Sequence, residues 1–277
     1  MMTVRHAILP LALLALLPPA VQADEAYWNG DRLQLRLGSF YVSSANSTVR
    51  FDSRSIVGVT LDSTQDLGMN SSDNIARLEA NYRFNKTHSI NLQWYDLERN
   101  GATNIGQEIE IGDPPETVPV GARVDSYLNT AIFKLGYNYS FYHNEKVELA
   151  VGGGLHIMDI ELGVDGEVIL GDPTSIASNN SSVTAPLPVL GGKIAYAVTP
   201  ALNWVAAVDL FFIAVGGYEG QFIDTNLNLE WLFSRHLGIG GGLNSNSLSL
   251  RASPNTDNRF RLTNTINGIQ TYLFLRF

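Results

Sequence analysis

The chain has 277 residues, of which 16% are charged and 45% hydrophobic, with a formal net charge of −9 and no cysteine. Without cysteine there are no disulfides, thiolate metal sites or cysteine nucleophiles, and an acidic balance lacking any basic block excludes nucleic acid as a partner. Sparse charge together with 25 glycines, 11 tyrosines and 12 phenylalanines excludes both a disordered chain and a charge-laced helical bundle.

The first 23 residues predict a secretory signal. Arg5 supplies the positive end, Ala7 to Leu17 the apolar run, and Val21-Gln22-Ala23 a small-residue cleavage site after Ala23. Residues 24–277 are then the mature domain. Its most apolar later stretch, Trp204 to Gly217, is broken by Asp209 and too short for a membrane helix. Two architectures remain: a soluble exported protein, or a β-barrel of an outer membrane, which satisfies its backbone in lipid by closing on itself.

From here the pattern is alternation with period two, the signature of strands. Leu33, Leu35 and Leu37 alternate with Arg32, Gln34 and Arg36. In residues 75–84, Ala76, Leu78, Ala80, Tyr82 and Phe84 share one face and Arg77, Glu79, Asn81 and Arg83 the other. Ile90, Leu92 and Trp94 oppose Asn91 and Gln93; Phe133, Leu135, Tyr137, Tyr139 and Phe141 oppose Lys134, Asn138 and Ser140. Val147, Leu149, Val151, Leu155 and Ile157 oppose Lys146, Glu148 and His156, and Ile223, Leu227, Leu229 and Trp231 oppose Asp224, Asn226, Asn228 and Glu230. The expectation is one continuous apolar face. Ten strands are predicted, at 31–43, 74–84, 88–98, 123–141, 146–162, 184–198, 201–215, 219–232, 236–250 and 259–277, with eight to twelve open and a further short strand within Ser55 to Asp62. Several exceed the roughly 9–11 residues that cross the apolar band, so they should extend beyond the membrane on the loop side.

Connections alternate in length. Tight links fall at Asn85-Lys86-Thr87, His143-Asn144-Glu145, Thr199-Pro200 and Ser234-Arg235. Long polar ones occupy 52–73, 99–122 and 164–182, with shorter links near Gly216 to Glu219 and Ala252 to Asp257. Short turns on one rim and longer loops on the other are what an outer-membrane barrel shows. Tyr82, Phe84, Tyr139, Phe141, Trp204, Trp231 and Phe233 lie near the short turns, where an aromatic girdle would sit. The closing strand places Ile269, Thr271, Leu273, Leu275 and the terminal Phe277 on one face.

That final strand is similar to the C-terminal signature of bacterial outer-membrane barrels, and the mature chain resembles the small barrel group that includes the OmpA and OmpW types. Residues 135–156 look like a periplasmic hairpin of this group. The resemblance implies an all-β, closed antiparallel up-and-down barrel in a Gram-negative outer membrane. Its implied partners are outer-membrane lipids and lipopolysaccharide, with the barrel-assembly machinery reading the face from Ile269 to Phe277.

Alternation also assigns an inward set: Arg32, Arg36, Arg77, Glu79, Arg83, Lys134, Lys146, Glu148, His156, Lys193, Asp209, Asp224, Glu230 and Arg276. Buried charges must pair or meet water, so these residues form either a lumen-filling ion network or the lining of a narrow hydrated path. Ten strands lie near the closed end of the size range. Nucleophile-elbow and zincin spacings are missing, loop acids lack EF-hand spacing, and no cofactor or metal is expected. Three functions follow: a structural or narrow-channel barrel passing small or apolar solutes, a lipid-modifying hydrolase or acyltransferase around His156, or adhesion and ligand binding by loops such as 99–122.

Overall fold

The computed structural model describes residues 31–52, 60–106, 109–111, 116–168, 174–215, 217–252 and 259–277; the signal segment lies outside them. Ten long strands form the wall. They are β1 (Leu33–Asp52), β3 (Asp73–Arg83), β4 (His88–Asn104), β7 (Arg123–His143), β8 (Val147–Val168), β9 (Thr174–Ala197), β10 (Leu202–Val215), β11 (Tyr218–Leu232), β12 (Leu237–Ala252) and β13 (Arg259–Arg276). Each pairs antiparallel with its neighbour in chain order, and β13 returns to pair with β1 from Gln34↔Arg276 to Asp52↔Arg259. The sheet is therefore a closed ten-stranded barrel. Three short strands accompany it: β2 (Thr60–Asp62), added to the far end of β1, and the hairpin of β5 (Ile109–Ile111) with β6 (Glu116–Val118).

The side-chain alternation explains why these segments are strands, and it also shows two zones. Near the short turns the outward face is apolar: on β7 Phe133, Leu135, Tyr137, Tyr139 and Phe141 are exposed, on β13 Ile269, Leu273 and Leu275 with Phe277 just beyond its end, and on β11 Leu227, Leu229 and Trp231. This band is about ten residues tall, enough for ~25 Å of tilted strand. Girdle aromatics pack within it, as in the edge-to-face pair Tyr82–Phe84 at 5.2 Å. Above the band the rule inverts. Outward positions become Asp96, Glu98, Asn129, Asp159, Gln221 and Ser245, while Leu97, Leu128, Met158, Ile160, Leu248, Leu262 and Ile266 turn inward and are buried.

The apolar face expected to be continuous is thus continuous only at membrane height. On β8 it passes from odd positions, ending at Ile157, to even ones, beginning at Met158, without any irregularity in pairing there. On β1 a bulge between Val42 and Ser44 falls at the corresponding height and resets which residues face in. Phe40, Val42, Ala45 and Ser47 are all buried as a result.

The same inversion explains a second difference from expectation. The sequence pattern predicts a loop over residues 164–182, yet β8 runs to Val168 and β9 starts at Thr174. Likewise β4 runs to Asn104, so much of 99–122 is strand and hairpin. Outside the membrane a strand presents Asn, Ser and Asp to water, so its composition is that of a loop although its backbone ladder continues.

Candidate functional site: the barrel lumen

At membrane height the lumen is crossed by ion pairs. Arg36 on β1 reaches over to Glu230 on β11 at 2.9 Å and to its neighbour Glu79 on β3 at 3.3 Å. Tyr272 Oη donates to Glu230 Oε1 at 2.9 Å. Arg77 pairs with Glu79 at 2.8 Å and donates across the lumen to Asn226 Oδ1 at 3.3 Å. Lys134 on β7 meets Asp224 on β11, and Asp224 also accepts from Asn244 Nδ2 at 2.8 Å. Toward the short turns Arg83 pairs with Glu148 at 2.8 Å, with Lys193 at 3.7 Å from the same carboxylate and Ser140 Oγ donating to it. Arg276 closes the end on Asp31 at 2.9 Å.

Arg36–Glu230, Lys134–Asp224 and Arg83–Glu148 join strands that are not neighbours in the sheet and lie far apart in sequence, so only barrel closure brings them together. Six cations, Arg36, Arg77, Arg83, Lys134, Lys193 and Arg276, face six anions, Asp31, Glu79, Glu148, Asp209, Asp224 and Glu230. The balance matters because an unpaired charge here would carry its full desolvation cost. A polar chamber of about 140 Å³ lies among Arg36, Glu79, Gln93, His156, Lys193 and Asp209.

His156 is buried, with Nε2 3.4 Å from Asp209 Oδ2 and its ring edge-on to Phe222 at 5.3 Å. His156, Asp209 and Asp224 bring one ligand atom each within 4.8 Å. The Lys134 ammonium already occupies the Asp224 carboxylate, so a metal ion would have to displace it. Arg32 and Lys146 depart from the inward set. Both are exposed, Arg32 just before β1 and Lys146 in the turn before β8, because both lie past the end of a wall strand, where the rim meets water.

An aromatic layer caps the charges. Phe40, Tyr95 and Phe222 are fully buried; the Arg77 guanidinium lies 5.8 Å from the Phe40 ring centroid and 5.5 Å from that of Tyr95, and Lys134 Nζ lies 5.8 Å from Tyr95. These cation–π contacts couple the polar floor to the apolar zone above. Sequence reasoning missed Tyr95 and Tyr272. Extending the inward phase of Asn91 and Gln93 by two residues reaches Tyr95, and extending it back from Arg276 reaches Tyr272.

In the outer half the lumen is an apolar chamber of about 260 Å³, walled by residues such as Val49, Leu128, Ile160, Leu162 and Leu262. Because β3 starts only at Asp73, the wall between β1 and β4 at this height is completed by residues 60–72. Leu67 and Met69 from this segment are buried and face the chamber. Arg99 on β4 holds the segment: Nε donates to the Asn70 carbonyl at 2.8 Å, and its terminal nitrogens to Ser63 Oγ and Thr64 Oγ1, each at 3.1 Å. Gly68 has φ +63°, and a Cβ at Gly101 would lie 2.3 Å from the Leu67 carbonyl oxygen, so glycine is required at both places. Asp62 shapes the turn, accepting from the backbone N–H of Thr64 and Gln65 at 2.9 Å and from Asn46 Nδ2 at 2.8 Å. Burial opposes ionisation of Asp62, but the Asn46 hydrogen bond, those backbone donors and the Arg99 charge together hold its carboxyl below the usual range.

The comparisons with known proteins agree with this architecture. The outer membrane protease OmpT from Escherichia coli is similar in structure with a TM-score of 0.58 at 11% identity, covering 92% of this chain and all of that one. OprG from Pseudomonas aeruginosa aligns at 11% identity over 93% of this chain and 99% of its own, with a TM-score of 0.32. At that identity the likeness to OmpT is one of fold. No curated protein matches the sequence. The family model of the Legionella pneumophila major outer membrane protein precursor matches residues 33–218, from the start of β1 to the start of β11. The chain therefore belongs to that family and is an outer-membrane β-barrel protein.

Proposed function

We propose that this is a non-enzymatic barrel whose lumen is filled rather than open, so that any solute it passes is small and moves through a narrow, interrupted path. The observation that carries this reading is the layer of Lys134–Asp224 beneath buried Phe40, Tyr95 and Phe222, which lies between the polar chamber and the apolar one. A barrel of ten strands has little room beyond its own side chains, and here charges of both signs and three rings take that room. The placement of His156 favours the same reading over a lipid-modifying enzyme: it faces the lumen at the height of the charge layer, away from both lipid and loops. His156→Ala should leave lipid composition around the reconstituted barrel unchanged.

Single-channel recording of the refolded protein in a planar bilayer tests the proposal. The expected record is electrically quiet with rare, short openings, and joint replacement of Lys134 and Asp224 by alanine lengthens and enlarges them. Large, steady conductance from the unaltered protein would overturn it.

A further inference from the structure

Folded interiors pack densely and leave few voids larger than a water molecule. Against that background the outer chamber is anomalous: it is larger than the polar chamber below it, about 260 against 140 Å³, although aliphatic side chains could have filled it. Of the thirteen described residues that wall it, nine are aliphatic or methionine and none is charged. Among the described wall residues the polar ones are Ser47, Ser63, Thr130 and Asn264, and Ser47 Oγ already donates to Asn264 Oδ1 at 2.9 Å. For scale, an apolar cavity of ~150 Å³ lined by Leu, Ile and Phe binds benzene.

We propose that this chamber is a binding site for a neutral, mainly apolar small molecule of one or two rings, or a short hydrocarbon of like size. Charged solutes are disfavoured by the wall chemistry, since among the described residues no ionised group lines the space to replace their hydration. Access is by way of residues 60–72. This stretch of wall is not a full strand, carries Leu61, Leu67 and Met69 on its chamber side, and is held by the Arg99 side chain. Displacing it opens the chamber sideways between β1 and β4, just above the apolar band, where a molecule dissolved at the membrane surface arrives. The site goes beyond the closed-lumen reading and does not depend on it, because it needs only the outer half of the barrel.

The chain has no cysteine, which permits a test free of background. Leu162→Cys places a thiol in the chamber wall, Val164→Cys a second in case the first disturbs folding, and Glu161→Cys a control on the outer face. Each is refolded, verified by its heat-modifiable mobility, and treated with N-ethylmaleimide with and without saturating naphthalene. The expected result is modification at both chamber positions, slowed about tenfold or more by naphthalene, with the control unaffected. Arg99→Gln added to Leu162→Cys should speed modification severalfold. Failure of the reagent to reach either chamber thiol, or equal rates with and without naphthalene, overturns the site; an unchanged rate with Arg99→Gln overturns the access route. Conductance is not read in any arm, so the outcome is separate from that of the closed-lumen proposal.

Discussion

The two halves of this barrel use the same strands with opposite solvents. At membrane height the outside is apolar and the inside carries paired charges; beyond it the outside is polar and the inside holds the apolar core. On β8 the exchange takes place between Ile157 and Met158, and on β11 between Ile223 and Phe222. The lesson is that burial in a barrel is relative to what surrounds it. The membrane half excludes water with lipid and pairs its charges within, whereas the outer half excludes water from its own interior and resembles an ordinary soluble protein turned inward on the same hydrogen-bond ladder. The first half is fixed by lipid and ion pairs, the second by dispersion contacts and by one arginine-held segment.

The largest expected effect would come from breaking the inner logic of the membrane half. Lys134→Met leaves Asp224 buried without its partner and should cost about 3–5 kcal/mol, while the double variant Lys134→Met with Asp224→Leu should recover most of that loss. Reversible denaturation in lipid vesicles measures both, and an uncoupled pair would add rather than cancel. In the outer half the equivalent break is Leu248→Ala, a fully buried aliphatic side chain, which should cost about 2–5 kcal/mol as a soluble core would. A near-zero change would mean that this zone is not a packed core.

The outward face sharpens the contrast on a single strand. Leu227→Arg, in the lipid band, should cost about 2–4 kcal/mol, whereas Gln221→Arg, on the same face of β11 but above the band, should stay within about 0.5 kcal/mol. Equal costs at the two positions would remove the boundary drawn here.

The smallest expected effect is a local one with a pH signature. The folded-state carboxyl of Asp62 titrates below its ordinary value of 3.8, so its contribution to holding residues 60–72 is fully present above about pH 4 and is lost as pH falls through the lowered value. Hydrogen exchange of residues 60–72 should therefore quicken between pH 5 and pH 3 relative to β11. Asp62→Asn should exchange faster at pH 5 and lose most of the pH response.

Much of the wall could be read from the chain. The strand phase in residues 75–84, 133–141 and 269–277 assigned inward and outward faces because lipid demands apolar side chains at every second position, and short turns such as Asn85-Lys86-Thr87 marked one rim. Residues 164–182 misled for the complementary reason: a run rich in Asn, Ser and Gly reads as loop although its backbone continues the strands, and the inward Leu162 and Val164 are too few to correct the impression. The inversion at Ile157–Met158 is present in the sequence, but it is recognisable only once the possibility of two solvents for one strand is entertained.

For the lumen, alternation supplied the list of inward charges but not their partners. Arg36 with Glu230, Lys134 with Asp224 and Arg83 with Glu148 are separated by long stretches of chain, and their meeting depends on which walls face each other after closure. Arg99 gave no sign of its role, since a lone arginine in a polar run reads as solvated until residues 63–70 fold against it. The sequence by itself determined a period-two, membrane-spanning wall with eight to twelve strands, because that pattern is imposed residue by residue by lipid on one side; closure fixed the number at ten. The tertiary structure alone decided which charges pair across the lumen and that an apolar chamber stands above them, because both depend on side chains from different walls arriving at the same height.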